Sequence, residues 1–314
     1  MKLLVLGMMC GCALNAEVPA ETATATKSHC ASPPRTGRGS FRSIRNRMFA
    51  RLGDPRHRGI DLIALESDPV QTIAGKLAYT AADKDLGHED VELYACVDDA
   101  WKSLATLRTD KHGRFRTDLA GDARLPPGTR DLFAYVAGDG TGVRFLAYVA
   151  KAGESVIVTD IDGTITASEN AVLTTVLFGD DIGHRLDAPQ VLAGSDHKIV
   201  YVSARGDQMS DVTRRWLRTH GFPDGPMRLA PASLLKPGPK TVAFKTAALR
   251  SLSVPIHAAI GNKPTDVESY ASAGIPASRI FVKLPEFEGA LRGDLAARRA
   301  IGFTRFAALP ALLR

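Results

Sequence analysis

A chain of 314 residues with 45% hydrophobic and 24% charged side chains has the balance of a globular protein, long enough for roughly two domains and a sizeable core. Its net charge of +6 is too dilute to support nucleic-acid binding, so where the charge falls matters more than its sum.

The chain begins Met1-Lys2, then runs apolar over 3–14, too short a stretch to cross a bilayer as a helix. One positive charge before such a run resembles a secretory signal. Met9-Cys10-Gly11-Cys12 resembles a bacterial lipobox, although Met9 stands where that pattern prefers Leu. Residues 1–12 are therefore expected to be a signal and lipobox segment, with Cys12 lipidated and the protein exported and anchored to a bacterial membrane. A cytoplasmic chain with a disordered start is the alternative. Residues 13–40, dominated from 17 onward by Thr, Ala, Pro, Ser and Gly, read as a flexible linker. Cys30 falls in that linker and Cys96 in a predicted strand, with no metal-ligand spacing.

Residues 41–59 form a basic amphipathic segment within a run, 35–58, that carries eight Arg against one acid, Asp54. Phe41, Ile44, Met48, Phe49 and Leu52 recur at helical spacing beside Arg42, Arg47 and Arg51, with Arg45 inside the apolar stripe. One reading is an interfacial helix drawn to anionic lipid at about 1 kcal/mol per basic residue. The other is a helix packed on the domain that follows, its charges solvated.

From 60 to 150 the pattern turns to β. Short runs at 71–79, 91–97, 114–119, 132–136 and 143–149 are separated by Gly, Asp and Pro clusters. Thr109-Asp110-Lys111-His112-Gly113-Arg114-Phe115 resembles the turn-and-strand signature of transthyretin-like or carboxypeptidase-regulatory-like β-sandwiches. His88 and His112 fall in turns and read as solvated; this small all-β domain carries no catalytic cluster and reads as support or docking. Only Lys151-Ala152-Gly153-Glu154 separates it from the next strand, so the two domains are expected to be held close.

Residues 151–314 are expected to form an α/β domain, a Rossmann-like doubly wound parallel sheet. Val156-Ile157-Val158-Thr159 reads as a buried parallel strand that delivers Asp160 and Asp162 at its carboxyl end, where open α/β sheets bind ligands. Gly163 lets the chain leave sharply, and Thr164 can hydrogen-bond back to a carboxylate. Two crowded carboxylates call for a cation, and Mg2+ with oxygen ligands is the natural one. An EF-hand is excluded, since Gly163 and Ala171 fall at positions four and twelve of the loop, where that motif needs other residues. Further strand-like runs at 198–203, 227–230, 255–261 and 279–283 alternate with helix-like runs such as 209–220 and 242–252. Ser203 and Arg205 end one strand as phosphate donors, and Lys245 can reach inward from a helix as a point charge. Asn262 and Asp266 follow another strand as oxygen ligands.

In that order, Asp160-Ile161-Asp162-Gly163-Thr164-Ile165-Thr166, Ser203-Ala204-Arg205, Phe244-Lys245 and Gly261-Asn262-Lys263-Pro264-Thr265-Asp266-Val267 resemble the catalytic (LNS2) domain of lipin-type phosphatidate phosphatases, in the haloacid dehalogenase (HAD) superfamily. Tyr270 and Arg279-Ile280-Phe281 extend the match, which covers 155–285. Lys263 stands where that family usually has Arg, and the large eukaryotic lipin architecture is absent. The resemblance implies Asp160 as nucleophile and Asp162 as general acid and base. It implies Mg2+ held by Asp160, the Asp162 carbonyl, Asn262 and Asp266 through water, with Thr164, Ser203, Arg205 and Lys245 on the phosphate. Only residues 165–202 lie between Thr164 and Ser203, too few for a large cap, so the crevice is expected to be open to a phospholipid head group at a membrane surface. A soluble phosphomonoester as substrate and a non-catalytic phospholipid-binding module are the other readings. Oligomeric state is not legible in the sequence.

Overall fold

The computed structural model describes residues 27–34, 39–167, 182–234, 236 and 238–313. The signal and lipobox segment lies outside the described residues. Strand β1 (Lys27–Ser28) is followed by helix α1 (Ile44–Leu52), β2 (Arg58–Ile60), β3 (Leu62–Leu65), β4 (Val70–Lys76), β5 (Ala78–Tyr79) and β6 (Lys84–Asp85). Then come β7 (Asp90–Val97), β8 (Ala100–Arg108), β9 (Arg114–Ala120), β10 (Gly128–Val136) and β11 (Gly142–Ala150). These strands form two facing sheets, β3-β11-β10-β7-β8 and β2-β4-β9, the expected β-sandwich. Leu62, Ala64, Ala147 and Val149 point into its core with Ile73, Leu93 and Phe115. Strand β8 was not legible as a strand, because its side chains are mostly exposed and carry little apolar alternation.

Part of the segment read as flexible linker is ordered. Strand β1 runs parallel to the start of β10, opposite Thr129 and Arg130, and Cys30 is bonded to Cys96 of β7. The two cysteines are 66 residues apart, so the closed loop removes about 4 kcal/mol of chain entropy from the unfolded state.

The second half is one parallel sheet. Its strands are β12 (Val156–Thr159), β13 (Lys198–Gly206), β14 (Met227–Ala230), β15 (Ile256–Gly261), β16 (Ile280–Lys283) and β17 (Ile301–Phe303), in the order β14-β13-β12-β15-β16-β17. Helices α2 (Ala188–Ala193), α3 (Ser210–Thr219), α4 (Pro239–Arg250), α5 (Pro264–Ser272) and α6 (Glu288–Ala296) supply the crossovers. Strand β12 is buried at all four residues because it is central and covered on both faces.

The two halves share a core. On β3 and β11 the residues facing away from the sandwich interior, Ile63, Tyr148 and Ala150, pack with Val156, Val158, Ala248 and Leu249. This is why β10 and β11 are buried on nearly every residue instead of alternating. The seam is pinned by Asp61, whose carboxylate accepts Arg214 Nη2 at 2.8 and 2.9 Å, the Leu146 N–H at 2.8 Å and the Met227 N–H at 2.7 Å. Arg228 donates to the Asp61 carbonyl at 2.5 Å.

Helix α1 splits the predicted apolar stripe in two. Phe41 and Phe49 turn inward against the sandwich, and Asn46 is buried, donating to Gly87 O and Glu89 Oε1 at 2.8 Å each. The Glu89 carboxylate also accepts the Arg42 and Ser43 N–H groups, which places a negative charge at the helix start. Ile44, Met48 and Leu52 face outward.

Candidate active site

The parallel strands end on one rim, and β12, β13 and β15 bring the site residues to it. Asp160 leaves β12 with its N–H on Ile260 O at 2.8 Å, which ties the first carboxylate to the neighbouring strand. Gly163 adopts φ +76 and donates its N–H to Thr166 Oγ1 at 2.8 Å, so the chain reverses tightly after Asp162.

The two carboxylates are held differently. Asp160 is buried; its Oδ1 accepts Lys245 Nζ at 2.6 Å and its Oδ2 accepts Thr164 Oγ1 at 3.0 Å. Asp162 is partly exposed, with Ser203 Oγ at 3.1 Å and the fork of Arg205 at 2.8 Å from Nη2 and 3.0 Å from Nε. Burial pushes the Asp160 carboxyl up to about 6; Lys245 works against this, while Asp266 and Asp162 add to it. Burial alone would lower Lys245, but Asp160 and Asp266 hold it well above the ordinary lysine value.

Lys245 Nζ lies 2.6 Å from both Asp160 Oδ1 and Asp266 Oδ1. The remaining Asp266 oxygen accepts the Asn262 N–H at 3.0 Å and the Lys263 N–H at 3.1 Å. Burial raises the Asp266 carboxyl, but Lys245 and these donors bring it below its ordinary value. Asn262 is fully buried, and its Nδ2 is without a hydrogen-bond partner.

These residues fit a hard divalent cation. Two carboxylates, the Asn262 amide and the main-chain carbonyl after β12 form an all-oxygen donor set. The buried Asp160–Lys245–Asp266 triad is net negative, which would repel a dianionic phosphate unless a cation reverses the sign. The orphaned Asn262 amide is the group such an ion would engage. Among the described residues no cluster of three or more His, Cys, Asp or Glu side chains is close enough to bind a metal alone, so an amide and a carbonyl are required.

Two expectations need correction. Arg205 was expected on the phosphate, but its Nε and Nη2 are on Asp162 and its Nη1 on Thr213 Oγ1 at 3.1 Å. A guanidinium chooses the nearest carboxylate that matches its fork, and here that is the second aspartate. Thr164 was also expected on the phosphate; it is buried, and its single proton is shared between Asp160 Oδ2 and Asn262 Oδ1 at 3.2 Å. Asp160, Asp162, Ser203, Lys245, Asn262 and Asp266 do converge.

Arg185 was missed by the sequence reading. It donates to Gly163 O at 2.9 Å and to Glu286 at 2.5 Å, staying the turn after the second aspartate. No spacing announces it, because the chain between Ala167 and Arg185 does not follow a strand. The expected absence of a large cap falls on 165–202, of which 168–181 lie outside the described residues.

Comparison with known proteins gives a family and several relatives. The profile of LNS2 (Lipin/Ned1/Smp2) matches residues 125–303 and that of the "PITM 1-3, beta-sandwich domain" matches 55–149. The two spans overlap on β10 and β11, the strands that serve both cores. Phosphatidate phosphatase LPIN3 of Mus musculus is 34% identical over 45% of the chain and 19% of its own length. Phosphatidate phosphatase LPIN2 of Mus musculus is 27% identical over 82% of the chain and 32% of its own. Membrane-associated phosphatidylinositol transfer protein 1 of Rattus norvegicus is 26% identical over 79% of the chain and 20% of its own. The chain thus spans a third or less of the length of these relatives.

Proposed function

The chain belongs to the LNS2 (Lipin/Ned1/Smp2) family, and from that premise we propose that it is a Mg2+-dependent phosphohydrolase acting on phosphatidate at a membrane surface, releasing diacylglycerol. The observation that carries this reading is the unequal holding of two carboxylates on one strand end. Asp160 is fixed at both oxygens beside a lysine, and Asp162 is partly exposed in the grip of Ser203 and Arg205.

In this reading Asp160 attacks phosphorus in line; the new O–P bond forms as the bond to the lipid oxygen breaks, giving an aspartyl-phosphate. Protonated Asp162 gives its proton to the departing alkoxide, then takes one from the water that attacks the aspartyl-phosphate. Arg205 aims Asp162, and Thr164 fixes the Asp160 rotamer. Ser203 Oγ and Lys245 Nζ donate to the transferring oxygens. Mg2+, held by Asp160, the Asp162 carbonyl, Asn262 and Asp266 through water, would supply charge neutralisation for nucleophile and phosphoryl group.

The printed activities of the two phosphatidate phosphatases support a phospholipid substrate. The phosphatidylinositol transfer relative supports a second reading, a non-catalytic phospholipid-binding module; intact Asp160 and Asp162 speak for catalysis. The Cys30–Cys96 disulfide supports export to an oxidising compartment, in keeping with a lipidated Cys12. The deciding experiment measures phosphate release from phosphatidate vesicles and from a panel of soluble phosphomonoesters, with and without Mg2+. Mg2+-dependent turnover that favours the vesicles is expected. Selective turnover of one soluble ester, with none of phosphatidate, would refute the substrate assignment.

A further inference from the structure

Helix α1 carries more apolar surface outward than its position on the sandwich requires. Its inner face is satisfied by Asn46, Phe49 and Ala50, yet Ile44, Met48 and Leu52 remain 81%, 50% and 67% exposed. They recur every four residues and so form one ridge along the helix. Arg47 and Arg51 are exposed on one shoulder of the ridge and Arg45 on the other, where it also lies 5.2 Å over the Phe49 ring. No acidic residue occurs within the helix.

The position of the ridge is fixed by contacts to the crevice. Six residues separate Leu52 from Arg58, a reach of at most about 20 Å. Arg58 Nη1 and Nη2 grip Asp83, and its Nε meets Asp207 Oδ1 at 2.7 Å as an ion pair, off the line of a hydrogen bond. Asp207 directly follows β13, the strand that carries Ser203 and Arg205. The same turn supports α1, since Gly53 lies against Thr80 so closely that a Cβ there would meet it at 3.1 Å. The ridge therefore stands beside the rim onto which the strand ends open.

We propose that the outer face of α1 is a docking surface for an anionic bilayer, which sets the crevice against the membrane; the link to the crevice rests on the phosphohydrolase reading above. A single file of three side chains on a convex helix falls far short of the about 800 Å2 per partner that a stable protein interface needs. It suits the boundary between acyl chains and head groups, where apolar residues insert and flanking arginines meet lipid phosphates. The charge complementarity and the small area together select a lipid surface over a second protein copy.

The test uses full-length protein carrying Cys12→Ser, so that no acyl chain contributes. Sedimentation with vesicles of phosphatidylcholine alone, or mixed with phosphatidylglycerol, is compared for this parent and for versions that add Met48→Glu or the pair Arg47→Gln and Arg51→Gln. Hydrolysis of a small chromogenic phosphate ester is followed in parallel. The parent should prefer the anionic vesicles, Met48→Glu should weaken that binding at least tenfold, and the arginine pair should flatten its salt dependence. Ester hydrolysis should stay near the parental rate in all of them. Unchanged anionic-vesicle binding by Met48→Glu would overturn the proposal, as would a dimer of the parent that Met48→Glu dissolves. Vesicle binding as expected with no ester or phosphatidate turnover would leave the docking face standing and remove the catalytic reading instead.

Discussion

Replacing Arg205 with Gln separates a phosphate-binding arginine from one that aims a carboxylate. In the structure the side chain spends Nε and Nη2 on Asp162, at 3.0 and 2.8 Å, and Nη1 on Thr213. Glutamine keeps one N–H arm near Asp162 but loses the charge and the second arm. Hydrogen bonds to a charged group are worth about 1.5–3 kcal/mol each, and the partial exposure of Asp162 lets water recover some of the loss. A net loss of about 2–3 kcal/mol in the transition state corresponds to a roughly 30- to 150-fold fall in kcat. Because Arg205 acts through Asp162, KM for phosphatidate in mixed micelles should change little, and the pH profile of kcat should move with the altered acid. Steady-state kinetics across pH would read both. A large rise in KM with kcat intact would refute the positioning role and return Arg205 to the phosphate.

Asp160→Asn should abolish turnover, measured as phosphate release, while leaving the melting temperature unchanged or raised, because the Lys245–Asp266 pair left behind is neutral and still bonded. Asp61→Ala should cost about 3–5 kcal/mol in denaturant unfolding, since it strands buried Arg214 and two main-chain donors at the seam; a loss below about 1 kcal/mol would contradict that account. Acid should destabilise the sandwich through His57, whose imidazole is pushed down to about 4, mainly by burial. Its Nδ1 accepts the Ala78 N–H, so the fold binds the neutral ring. The depressed value means this stability is present above about pH 6.5 and falls by about 3 kcal/mol as pH drops toward 4, a slope that His57→Gln should flatten.

Much of the catalytic half was legible because strand ends and chemistry coincide in the sequence. An apolar run into Asp160 and Asp162, another into Ser203, and a third into Asn262 each mark a buried parallel strand and the rim it reaches. What could not be read is what depends on side-chain choice between near partners. Arg205 and Thr164 each sit at the expected place, but their hydrogen bonds go to the aspartates. Nor does spacing reveal the Cys30–Cys96 bond, which needs the chain ends of a sandwich brought together across 66 residues. The α1 stripe was read as one face because Phe49 and Met48 are equally apolar; burial of Asn46 rotates the helix so that they part. Asp61 looked like a turn residue, since the four donors on its carboxylate come from three distant elements.

The shared seam also bears on the order in which the chain can fold. During synthesis, β12 emerges well before β15, its partner on one side; at about 5–20 residues per second the wait is roughly 5–20 s. Over that interval Val156 and Val158 would be bare strand, the kind of segment that associates with other nascent chains. The sandwich is complete by Ala150, and Ile63 and Tyr148 already present the surface that Val156 and Val158 pack on. It can therefore shelter the central strand until the rest of the sheet arrives. Damage to the Ile63–Tyr148 surface should accordingly lower the yield of folded protein at high expression more than it lowers the activity of the molecules that do fold.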